Sequence, residues 1–186
     1  MFDLITLSLL LDGPKHGYQL KREAGFIFGH GDMHNNLIYP LLRRFTRSAW
    51  VTKKAVPGQR GQTRQQYALT PKGRRELIQQ LGEYTEQDAQ SQEGFVTRVG
   101  MFEVIAPETR AAILEQRAAY LRKRETRLTS VAGNLDVGTY GRAVIDLLEQ
   151  QLHSELAWIE RLKRRIHRPK PASRPGTRQR ARKLKI

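Results

Sequence analysis

The stretch NLIYPLLRRFTRSAWVTKKAVPGQRGQTRQQYALTPKGRREL, residues 36–77, decides the fold. Leu37, Ile38, Leu41, Leu42 and Phe45 recur at helical spacing, with Arg43, Arg44 and Arg47 interleaved on the other side, the pattern of an amphipathic helix. Pro40 has no N–H and suits only a first turn, so this helix is expected to open near Asn36 or to bend. Trp50 to Val56 and Thr63 to Leu69 are short β-favouring runs around Pro57-Gly58-Gln59-Arg60-Gly61. Together they predict a two-stranded hairpin with a basic tip. Thr70-Pro71 then supplies an N-cap and a first-position proline for a further helix.

Upstream, Phe2 to Leu11 is apolar almost all round, as in a helix buried within a small domain, and Asp12-Gly13-Pro14 stops it. A second helix is predicted from Lys15 or His16 through Tyr18, Leu20 and Lys21 toward Ala24, before the glycines at 25, 29 and 31. Helix, turn, helix, helix, hairpin and helix is the order of a winged helix-turn-helix domain, placed at residues 1–81. The fold class is mainly α with a two-stranded β wing. Residues 82–106 are polar, carry Gly82, Gly94 and Gly100, and read as a connector.

Between residues 107 and 167, Ala111, Leu114, Ala118, Leu121, Leu128 and Ala132 fall on three- and four-residue steps broken only by Glu125. After a turn between Gly133 and Gly141, Ile145, Leu148, Leu152, Leu156, Ile159, Leu162 and Ile166 repeat the pattern. Two such helices form an antiparallel hairpin whose apolar face exceeds what a small neighbour buries. A second copy is the expected cover, with Leu114, Ala118, Leu121, Leu128, Leu148, Leu152, Leu156 and Ile159 as the dimerisation residues. Residues 168–186 alternate Arg and Lys with Pro, Ser and Gly, and are expected to form a disordered basic tail.

The net charge of +15 points to a polyanionic partner, nucleic acid first and an anionic membrane surface second. Residues 1–82 hold 13 Lys and Arg against 5 acids, residues 83–162 hold 9 against 13, and residues 163–186 hold 11 against none. The slightly acidic middle therefore suits contact with protein rather than with phosphate. The tail has no aromatic residue or apolar face to insert into a membrane. The absence of cysteine excludes disulfides, thiolate zinc sites and cysteine nucleophiles. The longest apolar run, Leu4 to Leu11, is far below the ~20 residues of a membrane span, and a soluble, unexported, cytoplasmic protein is expected.

Three segments carry a family resemblance. They are Leu9 to Lys21 with its Gly-Pro-x-x-Gly-Tyr turn, Ile38-Tyr39-Pro40-Leu41-Leu42-Arg43-Arg44, and Tyr67-Ala68-Leu69-Thr70-Pro71-Lys72-Gly73. In order and spacing the chain resembles PadR-type transcription regulators over residues 3 to about 80. The resemblance implies a winged domain that binds operator DNA as a homodimer through C-terminal helices, commonly as a repressor released by a small ligand or stress signal. It also places Tyr18 and Tyr39 near the DNA backbone. Two departures stand out: Phe45-Thr46-Arg47-Ser48-Ala49-Trp50 replaces the acids and glycine usual before the wing, and the basic tail is not a general family feature.

A helix in the major groove reads bases from its N-terminal tip, where Asn can pair with adenine through two hydrogen bonds. His34, Asn35 and Asn36 are thus the candidates for base contact, with capping as the plainer role for each. Lys21, Arg43, Lys53, Lys54, Arg60 and Arg64 are candidates for phosphate contact, Arg60 at the wing tip reaching a minor groove; the alternative for any one is a solvated charge. Tyr18 and Tyr39 either donate hydroxyls to phosphate or fill the core, and the resemblance favours the former. Phe95, Met101, Phe102 and Trp158 are candidates to line a pocket for a small-molecule effector, or else plain core.

No enzyme is expected. The histidines are scattered, no activated serine or P-loop motif occurs, and His30, Asp32 and His34 lack a further obvious metal ligand. No cofactor is implied. The competing readings are an architectural DNA- or RNA-binding winged helix and a MarR-like regulator, which pairs through helices from both ends of its chain.

Overall fold

The structure, a computed structural model, describes residues 2–27, 35–58, 62–134 and 138–166. It is mostly helical with one small antiparallel sheet. Helix α1 spans Phe2–Ser8, strand β1 Lys15–His16, α2 Gly17–Ile27, α3 Asn35–Arg47, β2 Val51–Pro57, β3 Thr63–Leu69 and α4 Pro71–Gly82. Next come a 3-10 turn at Asp88–Gln90, α5 at Gln92–Gly100 and a second 3-10 turn at Phe102–Val104, then the long α6, Pro107–Asn134, and α7, Gly138–Ile166.

Two boundaries differ from expectation. Lys15 and His16 form a third strand beside β3, pairing with Tyr67 and Gln66, so the sheet order is β1-β3-β2 rather than a lone hairpin. Two residues are too few for alternation to show in a sequence. Helix α2 therefore starts at Gly17, with the His16 N–H donating to Gln19 Oε1 at 2.9 Å, half of a capping box. Helix α2 also continues through Gly25, which is buried, despite the ~1 kcal/mol helix cost of glycine. Gly29 and Gly31 lie outside the described residues.

The core of the winged domain is built from Leu4, Ile5, Leu7 and Leu10 of the first segment, Leu20 and Ala24 of α2, Ile38, Leu42 and Phe45 of α3, Val51 and Tyr67 of the sheet, and Leu77 and Leu81 of α4. Leu37, read as part of the apolar stripe, is exposed instead. Pro40 sits inside α3, beyond its first turn. It removes the N–H that would reach the Asn36 carbonyl, so the opening turn of α3 is weakly tied to the rest.

The end of α3 is closed by a Schellman motif. Trp50 N–H reaches the Phe45 carbonyl at 2.9 Å, Ala49 N–H reaches Thr46 at 3.1 Å, and the Phe45 and Trp50 rings pack with centroids 5.6 Å apart. Ala49 occupies the left-handed position, φ 57°, that glycine ordinarily fills. The Trp50 carbonyl then accepts the Thr70 N–H at 3.0 Å, and Thr70 Oγ1 caps α4 by accepting Gly73 N–H at 2.9 Å. Backbone meets backbone so closely that a Cβ on Gly73 would lie 2.0 Å from the Trp50 oxygen.

Residues 82–106 are folded rather than a loose linker. The buried Arg98 of α5 donates to the carbonyls of Gln80 and Leu81 at 2.8 and 3.1 Å, closing the end of α4, and lies 3.4 Å from Asp88. Burial opposes ionisation of Asp88, but two hydrogen bonds from Thr85 and the Arg98 charge overcome it and hold the carboxyl below its ordinary range. Arg117 of α6 is buried, paired twice with Glu155 of α7 at 2.7 and 2.9 Å, and bonded to the Ala89 carbonyl. Helices α6 and α7 run antiparallel, with Lys163 on Glu115 and His153 on Glu125 at 2.7 Å. Glu125, the break in the stripe, thus has a cross-helix partner.

The joint at Trp50 yields two predictions. Gly73→Ala is expected to destabilise the protein by about 3 kcal/mol or more, because backbone rather than a pliant side chain must move. Ala49→Gly relieves ~1–2 kcal/mol of left-handed strain against ~0.5–1 kcal/mol of added unfolded-state entropy, giving a small net gain; urea unfolding of both variants measures this. A third prediction concerns Tyr84, whose phenol is pushed up to about 12, chiefly by burial and against the lowering effect of Arg117 and Arg98. A raised phenol stabilises the fold below pH 10, and that contribution is lost as pH rises from about 10 toward 12. Ultraviolet titration should show one late tyrosinate in the folded protein that Tyr84→Phe removes.

Candidate nucleic-acid interface

Helix α3, the start of α2 and the sheet face meet in two adjoining clefts. One, of 540 Å³, is lined by His16, Gly17, Tyr18, Gln19, Tyr39, Arg64, Gln65 and Tyr67. The other, of 660 Å³, is lined by Leu42, Arg43, Thr46, Arg47, Lys53 and Tyr67. Tyr67 forms the wall between them. Its register partner on β2 is Lys53, and directly opposed residues of an antiparallel pair share a face. Strand pairing thus brings Lys53 and Tyr67 to the α3 side.

Tyr39 packs over the N-terminus of α2, where a Cβ on Gly17 would come within 3.1 Å of its Cε1 and 3.7 Å of its hydroxyl. Tyr18, 60% exposed, stands on the next residue of that helix. Burial raises the Tyr67 phenol, Tyr39 adds to the rise and Arg43 works against it. Its hydroxyl therefore stays a neutral donor throughout the physiological range. Tyr39, 37% exposed, lines the first cleft together with Tyr18, and Arg43 lines the second.

The remaining expected residues divide. Asn35 opens α3 and Asn36 is exposed in its first turn; His34 and Arg60 lie outside the described residues. Lys54 is exposed on the hairpin face away from Tyr67, paired with Gln66. Arg64 shares that strand face by register, yet its side chain reaches the rim of the Tyr18 cleft. Lys21 is half-buried on α2. Arg44 forms an ion pair with Asp3 of α1, so this arginine of the α3 repeat holds two helices together.

His16, Gln19, Gln65 and Tyr67 were not among the expected site residues. Gln19 had a legible signal, since Gln three residues after a cap position makes a capping box. Tyr67 and Gln65 had none, because only strand register sets which strand residues face α3.

The residues of the dimerisation stripe differ in exposure within the single chain. Leu114, Ala118, Leu121, Leu152 and Ile159 are buried within the single chain, covered by the folded connector and by α6 on α7, whereas Leu128, Leu148 and Leu156 are half-buried. Among the described residues of this half, the large apolar side chains left exposed are Val96 of α5, Val131 of α6 and Tyr140, Val144 and Leu147 of α7. The expected pocket residues also separate. Phe95 is buried, edge-on to Trp158 with centroids 5.9 Å apart and beneath the Arg117 guanidinium, and Phe102 is buried as well. Met101 is half-buried against the core. Trp158 lines an open groove of 450 Å³ with Val96, Leu147 and Gln151.

Among the described residues no group of three or more metal-ligating side chains is found, and no helix is long and apolar enough to cross a membrane. The set His30, Asp32 and His34 lies outside the described residues.

Three helices, a β-wing and a cationic cleft along the third helix define a winged helix-turn-helix domain. Residues 6–79 match the family model described as Transcriptional regulator PadR-like family. No curated protein matches the chain. Solved structures similar to it include Bacillus subtilis PadR in complex with operator DNA, at 18% identity over 88% of this chain and 98% of that one, TM-score 0.43. The PadR-like regulator BC1756 of Bacillus cereus is 18% identical over 89% and 98%, TM-score 0.39. The regulator TA0346 of Thermoplasma acidophilum is 26% identical over 42% and 74%, TM-score 0.39.

The packing of Tyr39 on Gly17 gives a further prediction. Gly17→Ala should leave helix content unchanged but displace the Tyr39 ring, read as a shifted Tyr39 resonance in ring-labelled protein; an unmoved resonance would show that the contact does not position the ring.

Proposed function

We propose that the chain is a DNA-binding transcription regulator that reads a two-fold operator as a homodimer, acting as a repressor released by a small ligand or stress signal. The observation that carries the DNA reading is the convergence of Arg43, Lys53, Tyr39 and Tyr67 along one side of α3, with Asn36 exposed in the first turn of the same helix. Cations and neutral hydroxyls in such a row suit successive phosphates, while the helix tip suits base edges. Residues 1–81 are the DNA-binding unit in this reading, with Lys21, Lys54, Arg60 and Arg64 as further phosphate contacts and His34, Asn35 and Asn36 as base contacts. Residues 107–167 pair two copies. Tyr140, Val144, Leu147 and Trp158 fall at helical spacing along the open side of α7, which supports a seam there. Repression and release rest on the family resemblance.

Selection of bound sequences from a random duplex pool, together with footprinting, tests this. Half-site centres should lie about 10 base pairs apart or a multiple of that. Arg43→Gln and Lys53→Gln should each weaken binding across all sequences and lower the salt slope by about 1, whereas Asn36→Ala should relax preference at one base position by about 1–3 kcal/mol. Equal competition by random duplex would establish an architectural protein instead, and a single protected half-site at every concentration would rule out the paired arrangement.

A further inference from the structure

His16 stands at the junction of β1 and α2, half-buried, and lines the first cleft with Tyr18, Tyr39, Arg64 and Tyr67. Its backbone N–H is occupied by Gln19 Oε1 at 2.9 Å. Its ring is held at one atom, Nδ1, which lies 3.3 Å from the Gln65 carbonyl oxygen of β3. A carbonyl oxygen only accepts, so Nδ1 carries the proton and the neutral ring is the Nδ1–H tautomer. Nε2 then holds a bare lone pair, with no hydrogen-bond partner among the described residues.

Protonation therefore changes a single atom. The Nδ1–H bond to Gln65 is made in both charge states, so the contact with β3 survives, while Nε2 turns from an acceptor into a charged donor. Histidine makes that change between about pH 5 and 8. A lone pair on Nε2 repels a phosphate oxygen, whereas the protonated atom donates to it in a charge-assisted bond. The groups around the ring give the change its weight. Tyr18 of α2, Tyr39 of α3 and Tyr67 of β3 present hydroxyls, Arg64 of β3 supplies one fixed cation, and no carboxylate lines the cleft. Lys15, the neighbour of His16 on β1, is paired with Glu23 of α2 at 2.7 Å. The adjoining cleft holds three cations, Arg43, Arg47 and Lys53. A phosphate in the first cleft thus meets one fixed positive charge, and a protonated His16 doubles it.

We infer that His16 is a proton-dependent duplex contact, in which protonated Nε2 donates to a phosphate oxygen seated in the first cleft and binding takes up a proton. The inference rests on the DNA-binding reading above and deepens it. The contact adds affinity at low pH without base preference, because phosphate contacts carry no sequence information.

The test measures binding of the full chain to the selected duplex and to random duplex, as a function of salt, at about pH 6 and about pH 8. His16→Gln and His16→Asn remain neutral throughout, and Asn retains a donor near the place of Nδ1 where Gln disturbs the contact with β3. Circular dichroism checks that each is folded. His153→Gln, which removes the imidazole paired with Glu125 on the hairpin, is the control. The unaltered chain should bind about fivefold or more tightly at the lower pH, with a salt slope steeper by about 0.9, the contribution of one phosphate. Both duplexes should change by the same factor, and His153→Gln should behave alike. The His16 variants should bind equally at the two pH values, near the affinity of the unaltered chain at the higher one. Binding by the unaltered chain that does not vary with pH overturns the contact. So does a pH dependence kept in the folded His16 variants, which would move the titrating group to another residue such as His34, or one lost in His153→Gln. Folded His16 variants that bind tenfold more weakly than the unaltered chain at the higher pH also overturn it, since the neutral ring would then be the contact. Failure of the unaltered chain to bind any duplex at either pH would instead defeat the underlying DNA reading, so the two failures are distinguishable.

Discussion

The Trp50 carbonyl is the point at which three elements of the winged domain are fixed to one another. The Schellman closure of α3 aims that carbonyl outward; it then accepts the Thr70 N–H, while Gly73 allows the backbone of α4 to press against it. These bonds tie the end of α3, the start of β2 and the start of α4 to a common centre. Since β2 carries Lys53 and α3 carries Arg43, the distance between the two sides of the cationic cleft is set here. Phe45, buried between them and stacked on Trp50, couples the joint to the hydrophobic core.

A second constraint links that domain to the helical hairpin. Arg98 and Arg117 are both buried, and each satisfies backbone carbonyls as well as a carboxylate. A buried guanidinium is costly to desolvate, so its partners must stay in place once it is there. Arg98 binds the end of α4 and Asp88; Arg117 binds Ala89 and Glu155. The short turn at Asp88–Gln90 is therefore held from both sides, and the connector transmits position from the winged domain to α6 and α7. Tyr84 stacks against Arg98 with its hydroxyl buried and unpartnered, which accounts for the high pKa of its phenol.

This arrangement changes which surface a second copy would meet. Five residues of the α6 and α7 stripe are buried within the chain by the connector and by the pairing of the two helices, and the large apolar residues exposed there are Val96 of α5, Val131 of α6 and Tyr140, Val144 and Leu147 of α7. The same antiparallel pairing brings the end of α7 back beside the first half of α6. The first consequence arises from folding of the connector, whose helices are too short and polar to show a strong period.

The sequence by itself determined the local elements whose causes are local. Thr70-Pro71 marks the start of α4, the glycine-rich turn separates the two long strands, and the long apolar repeats give α6 and α7. It also carried the resemblance in the Gly-Pro-x-x-Gly-Tyr, Ile-Tyr-Pro and Tyr-x-Leu-Thr segments, and hence Tyr18 and Tyr39 as candidate site residues, with Arg43 marked by its charge on the helix. Tertiary structure alone decided the rest. A two-residue strand at Lys15–His16 exists only because β3 offers an edge to pair with. Which strand residues join α3 depends on register, so Tyr67 and Lys53 come inside while Lys54 goes out. Ala49 in a left-handed turn gave no glycine signal, because the enclosing bonds, not the residue, impose that conformation. Whether an apolar stripe faces a partner or its own chain is likewise a question of what packs over it, and amphipathic spacing records only that something must.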